Sequence, residues 1–286
     1  MAIIISGKNY VSQHLDSLKT RCSKISASKT PFMKVVLVGA NPASLSYVGH
    51  KKKLCEKVGA RCEIVEVHPE VSQTDFLKII SEINSDDQVD GIIIQLPLPE
   101  QLRQLDIYNL VDPTKDIDGF HIKNLKDIYE NKLTESSLIP CTPKGVMKLL
   151  DFHELDLKSK NIVIVGRSHI VGKPLFHLML NKNATVTICH SHTKDLAGIC
   201  KRADIVVVAV GNSRFYNSNY THKDQIIIDV GISRDKDNIL CGDVDFKELE
   251  NSVQAISPVP GGVGPMTVFS LIENLLIATE KKYDEN

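Results

Sequence analysis

Short β-rich apolar runs alternate with longer helical patterns along almost the whole 286-residue chain, and this alternation limits the fold more than any other feature. Parallel neighbouring strands need a crossover of a dozen or more residues, which a helix supplies, so the pattern predicts parallel α/β architecture. In the first half the strand candidates are KVVLVG (34–39), RCEIVEV (61–67) and DGIIIQ (90–95). Helical patterns lie between them near 44–59 and 72–85, and an opening helix runs from about Gly7 to Ser28. DPTKDIDGFH then breaks the periodicity, and IPCTPKG (139–145) breaks it again, placing a domain boundary near Pro140 to Pro143. NIVIVG (161–166), ATVTICH (184–190), ADIVVVAVG (203–211), QIIIDVG (225–231) and VQAISPVP (253–260) follow. Five strands with intervening helices predict a doubly wound sheet. The last pattern, MTVFSLIENLLIATEKK, is apolar over much of its surface and has to be buried against something.

A chain of this length, 42% hydrophobic, has enough material for two domains of ordinary size. Its 34 basic and 35 acidic residues nearly cancel, which removes any global electrostatic case for nucleic acid or a membrane surface. A small-molecule partner is the expectation. The seven cysteines show neither CxxC nor Cys/His ligand spacing, so they predict reduced thiols and neither a disulfide framework nor a metal site. MAIIISGKNY is too short an apolar run for a signal peptide, and no stretch approaches the roughly 20 apolar residues of a membrane span. A cytoplasmic soluble protein is expected.

In NIVIVGRSHIVGKP a strand ends at Gly166, and Gly172 and Pro174 open a helix, a context in which backbone N–H groups face a phosphate. The run departs from GxGxxG, with Ser168 at the second glycine position, and a plain strand-turn-helix remains an alternative. A site for NAD calls for an acid at the end of the second strand. That strand ends instead in Cys189-His190-Ser191-His192-Thr193, with no acid before Asp195. Hydroxyl and imidazole groups there, with Arg167 after the first strand, suit the extra phosphate of NADP; otherwise they are polar loop residues.

YVGHKKKLCEKVGA carries three consecutive lysines, and a helical wheel separates them. With Tyr47 at zero and about 100° per residue, Leu54, Val58, Cys55 and Val48 span an apolar arc from about 340° to about 100°. Lys51 falls inside it at about 40°, while Lys52 at about 140° and Lys53 at about 240° leave on opposite sides. An ammonium against an apolar wall is partly desolvated, which favours a neutral amine for proton transfer. The alternative is a lysine that snorkels to water. Tyr47 lies one turn from Lys51, within reach of a common ligand. Gln95 in DGIIIQLPLP ends a strand where parallel sheets bind ligands. KDIDGFH holds Asp116 and Asp118, either of which is a turn former or a ligand group. SPVPGGVGPMT crowds Pro258, Pro260, Gly261, Gly262, Gly264 and Pro265 between a strand and a helix, the composition of a ligand wall.

YVGHKKK, GIIIQLPLP, PTKDIDGFH, PCTPKG, NIVIVGRSHIVGKP, IIIDVGI, GDVDF and PVPGGVGPMT, in this order, resemble the bifunctional methylenetetrahydrofolate dehydrogenase/cyclohydrolase family over nearly the whole chain. The resemblance implies an N-terminal α/β folate-binding catalytic domain (1–140), with the C-terminal helix (267–286) packing back on it. A Rossmann-like doubly wound NADP domain (141–266) follows, with the folate in a cleft between the two. It implies a homodimer. It makes Lys51 the catalytic lysine, Gln95 its amide partner, Asp118 the carboxylate that holds the pterin and Tyr47 the ring that packs on the aminobenzoate. Gly166, Arg167, Ser168, Ser191 and Ile232 match cofactor positions, and Gly262, Gly264 and Pro265 match the wall near the substrate. The implied chemistry is oxidation of the one-carbon bridge of methylenetetrahydrofolate, then hydrolysis to 10-formyltetrahydrofolate.

Tyr47-x-x-x-Lys51 also looks like the catalytic pair of short-chain dehydrogenases, but there the nucleotide loop precedes the pair, and here it follows. A dehydrogenase without cyclohydrolase, and a folate or nucleotide sensor without turnover, are the remaining alternatives.

Overall fold

The computed structural model describes residues 1–26, 29–39 and 41–284. In chain order it forms β1 (Ile3–Ile4), α1 (Gly7–Ser26), β2 (Phe32–Val38), α2 (Pro42–Val58), β3 (Arg61–Val67), α3 (Gln73–Asn84) and β4 (Gly91–Ile94). Next come α4 (Ile122–Tyr129), α5 (Cys141–Phe152), β5 (Asn161–Val165), α6 (Gly172–Leu180), β6 (Thr185–Cys189), α7 (Leu196–Cys200) and β7 (Ile205–Val208). β8 (Ile226–Asp229), β9 (Ser233–Arg234), β10 (Leu240–Cys241), α8 (Phe246–Leu249), β11 (Ala255–Ile256) and α9 (Val263–Asp284) complete the chain. The expected end of the opening helix at Ser28 lies outside the described residues, as do the last two residues of the expected helix 267–286.

Two compact units result: His14–Cys141 with Val268–Asn286, and Met1–Gln13 with Thr142–Thr267. Sequence reading keeps residues 1–140 together; the segment Met1–Gln13 instead clusters with the other unit. The cause is a short parallel ladder, Ile3 with Ala255 and Ile4 with Ile256, extended by the Lys8 N–H donating to the Gly261 carbonyl at 3.0 Å.

The first of these units holds a parallel three-stranded sheet in the order β3-β2-β4. Central β2, FMKVVLV, is buried except at Lys34, as a strand covered on both faces must be. Edge strand β3 alternates instead and keeps Arg61, Glu63 and Glu66 exposed, which discourages pairing with another chain. Helix α3 is capped by Ser72, whose Oγ accepts from Asp75 N–H, and it buries Phe76, Ile80 and Ile83 in a cluster with Val36, Ile92 and Ile94. The KDIDG segment runs beside β4: Ile92 N–H donates to the Lys115 carbonyl at 2.8 Å, and Ile92 bridges Asp116. Within α9, Leu271, Ile272, Leu275 and Leu276 are buried. Asn274 Nδ2 donates to the Ile117 and Ile139 carbonyls at 2.8 Å each, and Arg21 grips both carboxylate oxygens of Glu280.

The second unit holds a parallel six-stranded sheet in the order β1-β11-β8-β7-β5-β6, with β5, β7 and β8 almost wholly buried. Counted from β5 the order is 2-1-3-4-5, with β1 added at the far edge, so the winding reverses between β5 and β7. Gly166 marks that place. Its φ is +129°, and a Cβ there would fall 2.2 Å from the Ala209 carbonyl oxygen, so only glycine lets the two strand ends approach this closely. Strands β9 and β10 form a short antiparallel pair. No helix among the described residues is long and apolar enough to cross a membrane.

Candidate functional site

Among the described side chains of α2 the buried ones are Ser44, Val48, Lys51, Cys55 and Val58, one stripe at helical spacing. Lys51 is 4% exposed, while Lys53 is exposed and Lys52 stands at the rim, its Nζ 3.9 Å from Glu56. Lys51 therefore does not snorkel. Its Nζ donates to Gln95 Oε1 at 3.1 Å and lies 4.8 Å from the centre of the Tyr47 ring. Gln95 closes β4 through its own N–H, which donates to the Val36 carbonyl, and its Nε2 donates to the Leu96 carbonyl at 2.7 Å. With the amide nitrogen so engaged, Oε1 has to face the lysine.

The two aspartates of KDIDG part company. Asp116 is buried, and its carboxylate accepts from Gly119 N–H, His121 N–H and Asn124 Nδ2 at 2.7–3.0 Å, which shapes the turn. Asp118 is half-buried, and its carboxylate accepts no hydrogen bond from any described residue. Burial pushes both carboxyls above the usual aspartate range. Backbone donors oppose this at Asp116, and the charge of Lys51 opposes it at Asp118. A pocket beside the pair is lined by Ile92, Ile94, Leu96, Tyr108 and Phe120, the last two edge to face at 5.8 Å.

In the six-stranded unit the predicted cofactor residues sit at the C-terminal ends of the strands. Arg167 and Ser168 follow β5 and are exposed. Ser168 Oγ accepts from Val171 and Gly172 N–H at 3.2 and 3.4 Å, which leaves its own O–H to donate outward. Ser191, after β6, is exposed, and Asp195, the first acid beyond it, caps α7 by accepting from Gly198 N–H. Val210 after β7 and Ile232 after β8 are apolar yet 40% and 53% exposed. A cation, two hydroxyls and two exposed apolar side chains along one sheet edge fit the phosphates and flat ring of a nicotinamide nucleotide. Gly264 and Pro265 are half-buried; among the described residues a Cβ on Gly264 would meet only Ile232, at 3.8 Å, so this part of PVPGGVGPMT stands beside an expected cofactor position. Gly262 is enclosed, its N–H donating to the Pro258 carbonyl at 2.8 Å.

Residues 5–118 match the catalytic domain of tetrahydrofolate dehydrogenase/cyclohydrolase, and residues 140–283 match the NAD(P)-binding domain of the same family. The chain belongs to the tetrahydrofolate dehydrogenase/cyclohydrolase family. It is 43% identical over 282 residues to the bifunctional protein FolD of Lachnoclostridium phytofermentans, covering 98% of this chain and 99% of that one. The FolD dehydrogenase/cyclohydrolase of Campylobacter jejuni superposes with a TM-score of 0.94 at 38% identity, over 99% and 100% of the two chains. FolD of Trypanosoma brucei, solved with NADP and an inhibitor, gives 0.92 at 29% identity over 98% of each chain.

Asp229 and Asp243 carry no role expected from the sequence of this dehydrogenase/cyclohydrolase, although both lie in motifs it shares with the family, IIIDVGI and GDVDF. The available signal was an aspartate closing an all-apolar strand and followed two residues later by glycine. A carboxylate there is buried, and buried carboxylates need donors.

Proposed function

We propose that this chain oxidises 5,10-methylenetetrahydrofolate to 5,10-methenyltetrahydrofolate with NADP and hydrolyses the product to 10-formyltetrahydrofolate, using Lys51, Gln95 and Asp118 as its catalytic groups. Both activities are those of its family, and both serve one-carbon metabolism. The buried Lys51–Gln95 hydrogen bond carries the residue assignment.

The lysine ammonium is held away from water by the α2 stripe, and its direction is set by an amide that does not titrate. A freely placed positive charge beside the one-carbon bridge would oppose formation of the methenyl cation. Hydrogen bonding to Gln95 Oε1 turns that charge toward the amide. When bound, the nicotinamide nucleotide supplies the two-electron acceptor for the oxidation. In the hydrolysis, water adds to the methenyl carbon and gives up a proton; the bond from that carbon to N5 then breaks, N5 is protonated and the carbinol oxygen loses its proton to become the formyl carbonyl. One proton is released overall. Lys51 relays these protons, and Gln95 keeps its Nζ in place. Asp118, with unused acceptor capacity, takes the N–H donors of the pterin, and Tyr47 packs on the aminobenzoate. On the family resemblance, Gly262, Gly264 and Pro265 match the wall near the substrate. Gly166, Arg167, Ser168, Ser191 and Ile232 hold the nucleotide. NADP is favoured because Arg167 and Ser191 are exposed for a phosphate and Asp195 is committed to capping α7. On the family resemblance, the enzyme works in the cytoplasm as a homodimer.

A spectroscopic assay of the purified protein with methylenetetrahydrofolate and either nucleotide tests this. Methenyl absorbance should rise with NADP and then decay by hydrolysis. A rise without decay would leave a dehydrogenase alone, and no rise with either nucleotide would overturn the reading.

A further inference from the structure

Two aspartates of the six-stranded unit are more deeply buried than Lys51 or Gln95. Asp243 is 0% and Asp229 2% exposed, and each carboxylate is filled by three backbone donors. Asp229 Oδ1 accepts from Gly231 and Asp243 N–H, and its Oδ2 accepts from Val244 N–H, all at 3.0 Å. Asp243 Oδ2 accepts from Val210 N–H at 2.6 Å and Gly211 N–H at 2.9 Å, and its Oδ1 accepts from Asn212 N–H at 2.7 Å. The two form a chain: the end of β8 holds the backbone at 243–244 through Asp229, and Asp243 holds the loop at 210–212. Glycines make room for both. A Cβ on Gly242 would lie 1.8 Å from Asp229 Oδ2, and one on Gly231 would lie 2.1 Å from Asp243 Cγ.

The loop so held follows β7 at the winding reversal, where Ala209 abuts Gly166, and it exposes Val210. Ligands of open parallel sheets bind outside strand ends at such a reversal. Three consecutive N–H groups turned inward onto one carboxylate fix the path of the loop far more tightly than sequence would, since Gly211 at φ +69° is free to bend. We propose that Asp243, braced by Asp229, is a positioning residue that holds residues 210–212 in the shape that accepts the nicotinamide nucleotide, and so sets nucleotide affinity without touching it. This rests on the NAD(P)-binding identity of the unit.

Asp243→Asn separates that role from general stability. An amide offers one acceptor oxygen, so its NH₂ must face at least one of the three loop N–H groups, and the loop opens. In the full-length protein the KM for the nucleotide should rise about tenfold or more, the scale of a lost charged hydrogen-bond acceptor. The dehydrogenase kcat should stay within about twofold, and so should hydrolysis of added methenyltetrahydrofolate measured without nucleotide. An unchanged nucleotide KM overturns the proposal, as does a parallel fall of both activities with the folded fraction measured by circular dichroism. If Asp243→Asn does not fold, Gly211→Ala replaces it: the added methyl meets no atom of a described residue within 4 Å but strains the positive φ of the same loop. It is read by the same KM-against-kcat criterion. Failure of the nucleotide reading is distinguishable, because then the wild-type protein itself would turn over with neither nucleotide.

Discussion

The two units treat polar groups at their strand ends in opposite ways. In the three-stranded unit Lys51 and Gln95 are buried side chains bonded to one another, and Asp118 nearby keeps an unfilled carboxylate. In the six-stranded unit Arg167, Ser168 and Ser191 are exposed, while the buried Asp229 and Asp243 have every hydrogen bond taken by backbone. Desolvated groups with spare capacity suit proton transfer. Exposed groups suit reversible binding of a charged nucleotide, and saturated buried groups hold shape.

Lys51→Met gives the largest effect this contrast predicts. Methionine keeps the apolar stem in the α2 stripe and removes the nitrogen, so hydrolysis of methenyltetrahydrofolate should fall at least about 100-fold. Nucleotide affinity, measured by fluorescence titration, should not move. A variant that hydrolyses at the wild-type rate would remove Lys51 from the mechanism.

Asp116 and Asp118 bring the same contrast to a single loop. Asp118→Asn should lower kcat/KM for methylenetetrahydrofolate about 10- to 100-fold with stability kept or raised, because a charged acceptor for the substrate is lost while the cost of burying its charge is removed. Asp116→Asn should do the reverse, lowering the urea midpoint by the equivalent of about 2 kcal/mol through the misfit of three donors. If the two variants behave alike, the division between spare and saturated carboxylates fails here. The pH profile sharpens it. Burial raises the Asp118 carboxyl above the ordinary 3.8, so it keeps its proton at pH values where an exposed aspartate has lost it. Folate binding to the carboxylate should therefore weaken as pH falls, with the acid limb of kcat/KM displaced to higher pH, and Asp118→Asn should flatten that limb.

The apolar runs showed where eight strands lie, and the wheel placed Lys51 inward, because both depend on local periodicity. What escaped was non-local. Strand β1 is only Ile3–Ile4 and pairs with Ala255–Ile256, far along the chain, so it carries no strand signal of its own. Nothing in KDIDG distinguishes the aspartate that meets three donors from the one that meets none among the described residues, since those donors come from residues 119–124 only once the loop folds. Asp229 and Asp243 escaped for the same reason: their partners are backbone N–H groups, which every sequence has everywhere.

On the exposed side, Arg167→Met should raise the KM for NADP about tenfold, with little change for NAD, which lacks the extra phosphate. Steady-state kinetics with both nucleotides checks this. Equal losses would place Arg167 against a group the two nucleotides share.

The smallest effect belongs to the neighbours of Lys51. Lys52 Nζ stands 3.9 Å from Glu56, with the two side chains 43% and 54% exposed, and Lys53 points to solvent. An exposed i,i+4 pair is worth about 0.3–0.5 kcal/mol, and water screens either charge from the strand end. The double variant Lys52→Ala/Lys53→Ala should keep both activities within about twofold and shift stability by less than about 1 kcal/mol. A loss approaching that of Lys51→Met would mean that the summed field of the three lysines, and not the burial of one, is what the site uses. Repeating the assay at high salt would then expose the difference, since screening weakens a surface field and leaves the buried Lys51–Gln95 hydrogen bond in place.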